Sequence, residues 1–189
     1  VQGAVYTDSA DIAAAVKPVR GKPILTADLN GVRARLERLP WVKYVVVQMS
    51  FPHTITIQIA ERVPVAAYLG TDNKWRAIDG DGRVLVILDG QPVDYPGILG
   101  PGPLAVPGDT EPNYGRVAQL VTALPPLLRP MLKVFEMDQA GNLSMSLHIS
   151  DKGDSRVDLC SAQALDVRQL VALMAFIATK VDPQKAPPA

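Results

Sequence analysis

The sequence predicts an α+β fold in two unequal parts. A strand-helix-helix-strand-strand module is expected over residues 1–63, followed over 64–181 by a β-rich domain of mixed and antiparallel sheet with flanking helices. Three observations carry this. Ile55, Ile57 and Ile59 alternate with Thr54, Thr56 and Gln58, the period of a strand with one dry face. Just before it, Leu29, Val32, Leu36 and Leu39 recur at helical spacing until Pro40 stops the pattern. Beyond Pro64 the chain changes to short apolar runs separated by turn residues.

In order, Val1 to Ala4 is expected as the opening strand. Thr7 to Val16 reads as a short helix, with Thr7, Asp8 or Ser9 able to cap its first-turn amides. A second helix starts near Thr26 or Asp28 and turns Arg33, Arg35, Glu37 and Arg38 to water. Strand KYVVVQM follows Trp41 and Val42. Being apolar on both faces, it is expected in the interior of its sheet. Ser50-Phe51-Pro52-His53 forms the turn, and TITIQIAER returns beneath the two helices.

In the second part, VAAYL, WRAI and RVLVIL read as strands, with Asp79-Gly80-Asp81-Gly82 as a tight turn. Asp89 to Pro112 holds six prolines and five glycines and reads as a long loop that wraps a surface or meets a partner. A helix follows from about Asn113 to Leu124, burying Val117, Leu120, Val121 and Leu124. VFEMDQAGNLSMSLHI is a hairpin in which Leu143, Met145, Leu147 and Ile149 alternate with polar residues. Arg156 to Cys160 gives one more strand, and Leu165 to Lys180 a final apolar helix. Residues 182–189 form a Pro-rich tail.

Composition narrows the function. Of 189 residues, 48% are hydrophobic and 20% charged, so a folded chain is expected rather than a disordered one. Nineteen basic residues balance nineteen acidic ones, which leaves no net field to gather nucleic acid. Cys160 is the single cysteine, so neither an intramolecular disulfide nor a cysteine-based zinc site is available. No run reaches the roughly 18 apolar residues that cross a bilayer. The chain enters on VQGA without Met, as though cut from a longer protein.

Catalytic motifs are missing. There is no nucleophile elbow, H-E-x-x-H, Walker loop or G-x-G-x-x-G. His53 lies in a turn and His148 on the polar face of a strand, where ordinary surface roles outweigh catalysis. Asp79 and Asp81 open like a calcium loop, but Arg83, Ile87 and Gly90 bring no side-chain oxygen at the following ligand positions. Cys160 has no evident activating cation or base and reads as structural. Trp41 and Trp75 read as core anchors. No cofactor, metal site or catalytic residue is expected.

One stretch carries a resemblance. Leu39-Pro40-Trp41-Val42 ends the second helix, Phe51-Pro52 sits in the hairpin turn, and Glu61-Arg62-Val63-Pro64-Val65 forms the exit. With Trp75-Arg76-Ala77-Ile78-Asp79 and Asp81-Gly82, these residues resemble the FtsQ/DivIB family of bacterial cell-division proteins, and an actinobacterium-like source. The likeness makes residues 1–63 POTRA-like and 64–181 the family's β domain, with Glu61, Arg62 and Pro64 as the junction motif. It implies a bitopic inner-membrane protein with this portion extracytoplasmic, acting at the division septum as a non-catalytic scaffold. Its implied partners are the small coiled-coil membrane proteins FtsB and FtsL, with other divisome components. The family's partner surface, carried onto this chain, falls on Arg156 and Asp158 of the last strand and on Val167, Arg168, Leu170, Val171 and Met174 of the helix beside it. A sheet margin offers such a partner free main-chain groups to pair with. The family's last strand normally follows the final helix; here only VDPQKAPPA remains, so the docking edge is either a short strand near Lys180 to Asp182 or Arg156–Cys160. The alternatives are a POTRA-bearing protein that handles polypeptides in outer-membrane assembly or secretion, and a cell-wall enzyme using Cys160 or a histidine.

Overall fold

Asp8 begins the first helix by accepting the Ala10 amide on its side chain, which satisfies a donor the helix itself cannot. The computed structural model describes residues 1–52, 54–125, 128–149, 153–164, 166, 168, 171–172 and 175–176. The chain divides into two compact units, Val1–Val63 and Pro64–Ala189.

In the first unit, α1 (Ser9–Val16) and α2 (Leu29–Glu37) cover one face of an antiparallel pair, β1 (Val42–Ser50) and β2 (Thr54–Glu61). Asp28 caps α2 through the Gly31 amide. Val32 and Leu36 meet Ile12 and Ala15 from α1 and Val45, Ile57 and Ile59 from the sheet, forming a single small core. Arg35 departs from its expected place in water: it is half-buried and donates from Nε to the Ala15 carbonyl, closing the last turn of α1.

Two expectations for this unit are corrected. Residues 1–4 form no strand; only Gln2 bridges, parallel to Gln58, through bonds of 2.9 Å to Ile57 and from Ile59. The inner position therefore belongs to β2, and β1, expected inside, is outermost among the described residues. Its second apolar face is uncovered, with Tyr44 55% and Val46 37% exposed. An all-apolar strand read only by composition looks interior; the parallel bridge on the far side of β2 reverses the order.

The second unit holds a mixed sheet ordered β5-β4-β3-β6-β7-β8-β9. Its strands are β3 (Ala66–Gly70), β4 (Trp75–Ile78), β5 (Val84–Leu88), β6 (Gly97–Gly102), β7 (Leu132–Met137), β8 (Asn142–Ile149) and β9 (Gly153–Ser161). Helix α3 (Pro112–Ala123) packs Val117, Ala118 and Leu120 into the core formed with Tyr68, Ile98, Phe135 and Met145. Trp75 is buried as an anchor, and Asp79 closes its tight turn by accepting the Asp81 and Arg83 amides, each at 2.9 Å.

The expected Asp89–Pro112 loop contains β6, which lies parallel between β3 and β7 at the middle of the sheet. Its sequence, GILGPG, hides the strand because the fold needs bare backbone there. A Cβ on Gly97 would stand 2.8 Å from the Trp75 ring, and one on Gly100, at φ 145°, would strike the Met137 carbonyl. Arg76 ties the turn between β3 and β4 to the loop after β6: it is buried, donates to the Ala105 carbonyl at 2.7 Å and pairs with Asp72 through both oxygens.

Candidate partner-binding edge and junction motif

Strand β9 ends the seven-stranded sheet, and its register with β8 fixes which residues share a face. Phe135, Met145 and Val157 stand in one cross-strand row, directed into the core. Because side chains alternate, the neighbouring rows turn Glu136, Ser144 and Asp158, and Val134, Ser146 and Arg156, the other way. There Arg156 binds Asp158 through Nε at 3.0 Å and reaches Glu136 through Nη1 at 2.9 Å. These groups border a shallow concavity of about 290 Å³. At the other end of β9, Asp154 joins Lys133 and His148, at 2.8 and 2.7 Å. Its carboxyl is held below the usual aspartate range by the Lys133 hydrogen bond first and by His148 next.

The structure thus brings Arg156 and Asp158 together. Arg168 is exposed with its amide bonded to Asp166 Oδ1 at 2.9 Å, and Val171 is half-buried; both are helical. Val167, Leu170 and Met174 lie outside the described residues, as do His53, the Pro-rich tail and the candidate strand near 180–182. Glu136 and Lys133, which complete the charged rows, were not singled out in the sequence. They stand on β7, across β8 from β9, and only the pairing of the three strands, unreadable from local pattern, brings them within reach of Arg156 and Asp154.

The two margins of the sheet differ. On β5, Val84 exchanges hydrogen bonds with Asp109 and Gly108, so a loop already occupies part of that edge. No strand among the described residues pairs with β9 on the side away from β8. Among the described residues, no group of three or more metal-ligating side chains gathers.

The junction motif has a specific structure. Glu61, the last residue of β2, accepts the amides of Val5, Tyr6 and Thr7 at 2.7–3.1 Å and the Thr7 hydroxyl at 2.6 Å. Partial burial opposes its ionisation. The hydrogen bonds from Thr7, Tyr6 and Val5 outweigh that and hold its pKa below the ordinary value. Beside it, Tyr6 stacks on Trp41 with ring centroids 4.9 Å apart. Arg62 donates its amide to the Trp41 carbonyl at 2.7 Å and its Nε to Val42 at 3.2 Å. The start and the end of the first unit are thereby clasped side by side. In the second unit Pro64 borders a cavity of about 540 Å³, and the next amide, Val65, pairs with Ile78.

Comparison with known proteins bears on this architecture. Residues 1–62 match the family model described as POTRA domain, FtsQ-type. The cell division protein FtsQ of Caulobacter vibrioides is 27% identical over 200 residues, covering 92% of this chain and 64% of that protein. FtsQ of Geobacter sp. (strain M21) is 38% identical over 89 residues, covering 46% of this chain and 31% of its own. FtsQ of Mycolicibacterium smegmatis is 34% identical over 121 residues, covering 60% and 32%. The chain spans less than two thirds of the length of these relatives. With the β-α-α-β-β motif reduced to a single bridge at its first strand but otherwise present, residues 1–62 form a POTRA domain of FtsQ type, and the chain with its following β-rich unit is similar to the cell division proteins FtsQ.

Proposed function

We propose that this chain is the extracytoplasmic part of a single-pass inner-membrane protein that assembles the divisome at the septum without catalysing a reaction. Its partners in this reading are FtsB- and FtsL-like membrane proteins, and the docking site is the outer edge of β9 together with the helical segment carrying Arg168 and Val171. The residues carried over are Arg156, Asp158, Val167, Arg168, Leu170, Val171 and Met174. Glu61, Arg62 and Pro64 set the junction. No helix among the described residues is long and apolar enough to cross a membrane.

The observation that carries the reading is the position of β9: outermost among the described strands, with a charged row alongside. A partner strand laid there gains main-chain hydrogen bonds, and the Arg156–Glu136–Asp158 row selects for its charges. Titration of the chain with a peptide from an FtsB-like partner tests it. Arg156→Glu is expected to weaken binding about tenfold or more. Alanine at Cys160, His53 and His148 together leaves affinity unchanged if no covalent chemistry is involved. Unchanged affinity in Arg156→Glu and in a chain truncated before Leu165 removes this surface from consideration.

A further inference from the structure

The first unit carries charge that the whole-chain balance conceals. Residues 1–63 hold eight basic and five acidic residues; the remainder hold eleven and fourteen. Within this basic unit an open cleft of about 460 Å³ lies between the turn after α1 and the start of β2. Val16, Val19, Ile55 and Ile57 line it as half-buried or buried apolar groups, while Arg20 and Lys22 stand exposed at its border. The turn presenting the two cations is fixed: the Arg20 amide bonds Lys17, the Lys22 amide bonds Val19, and Gly21 takes φ 76° between them. Neither the Arg20 guanidinium nor the Lys22 ammonium has an acidic or carbonyl partner among the described residues.

Two large apolar side chains project beside this cleft. Leu25 is 79% exposed, two residues past the lining Pro23, and Phe51 is 68% exposed, next to the lining Pro52. Each of these exposures costs a soluble surface some apolar hydration. Free cations bordering projecting Leu and Phe side chains is the composition of a surface that settles at a lipid headgroup boundary.

We propose that this cleft and its border bind the surface of an anionic phospholipid membrane, with Arg20 and Lys22 at the headgroup phosphates and Leu25 and Phe51 entering the interface. The inference deepens the anchored reading above, since a chain tethered to a bilayer meets that surface at high effective concentration. A lipid surface is favoured over an acidic peptide because the apolar contacts come from two separate turns flanking an open cleft, an arrangement suited to a plane rather than to one inserted side chain.

Co-sedimentation of the 189-residue chain with vesicles of equimolar phosphatidylglycerol and phosphatidylcholine, against phosphatidylcholine alone, tests this. Binding is expected on the anionic vesicles only and falls steeply with salt. Arg20→Glu with Lys22→Glu reduces the partition coefficient about tenfold or more. Leu25→Ser with Phe51→Ser reduces it while preserving the salt dependence. These four positions are exposed, so circular dichroism should show unchanged folding, and Arg20→Gln with Lys22→Gln serves as the milder pair. Equal binding to both vesicles, or undiminished binding by both charge variants, overturns the proposal. So does saturable capture of an acidic peptide at this cleft without vesicle binding. Partner titration at β9 is measured separately, so either result can fail while the other stands.

Discussion

The two units solve the same problem, covering one face of a sheet, with very different resources. The first lays two short helices over a two-stranded sheet and gathers a core of eight buried residues among those described. The second has, among the described residues, seven strands with α3 over them and a continuous core running from Tyr68 through Ile98 and Phe135 to Leu147. A small core leaves little margin, because buried area falls faster than surface as a unit shrinks. The first unit adds specific polar fastenings at its ends, above all the Glu61 clasp. The second relies on packing, and concentrates its polar fastening in Arg76 and the turn at Asp79. The difference teaches where each unit should be fragile: the larger in its centre, the smaller at its ends.

The largest effect is therefore expected at the centre of the second unit. Phe135 is fully buried on β7, the strand that joins β6 to the β8–β9 hairpin. Phe135→Ala should destabilise that unit by about 3–5 kcal/mol through lost burial and the cavity left behind. Hydrogen exchange should accelerate across β6 to β9 while the amides of β1 and β2 keep their protection. Equal acceleration in both units means that they unfold together, and the contrast drawn between them dissolves.

A smaller effect probes the glycine strand. Gly97→Val places a side chain against Trp75 and should cost about 1–3 kcal/mol by overpacking. If the contact is the cause, Trp75→Leu in the same chain gives back part of the loss, and the double-mutant cycle reports a coupling between the two positions. Additive losses mean that β6 tolerates a side chain there and that its glycines serve another purpose.

That strand also marks the limit of what the sequence discloses. Amphipathic periods such as Leu29–Val32–Leu36 and Leu143–Met145–Leu147 are written locally, and the elements they forecast are present: α2, β2, β4, α3, β7 and β8. Gly97 to Gly102 carries no such period, because its identity is set by Trp75 and Met137, distant in the chain. Sheet order is equally non-local. Nothing within KYVVVQM says that β2 takes the inner position, since the deciding bridge comes from Gln2. The candidate edge was half legible: Arg156 and Asp158 alternate visibly, whereas Glu136 becomes their neighbour only through the β7–β8–β9 register. Glu61 was legible as part of a motif, but its partners lie 54 to 56 residues earlier, and no local pattern announces them.

The clasp is the finest test of the contrast. Glu61→Gln keeps the size of the side chain but replaces a carboxylate oxygen by an NH₂ that confronts the Val5, Tyr6 and Thr7 amides. Losing charge-assisted bonds of this kind at a half-exposed, solvent-screened site should cost about 1 kcal/mol, at the bottom of the range for Gly97→Val. Its dependence on pH has a definite sign. The folded-state pKa lies below the ordinary 4.5, so the contribution is complete above 4.5 and disappears as pH falls through the lower folded value. In wild type, the amides of residues 5–7 should lose exchange protection on acidification before β1 and β2 do. In Glu61→Gln that early, acid-linked opening should be absent, because those amides are already exposed at neutral pH. Should residues 5–7 stay protected in the variant, the Tyr6–Trp41 stack alone holds the entry segment, and the ends of the small unit are fastened by packing after all.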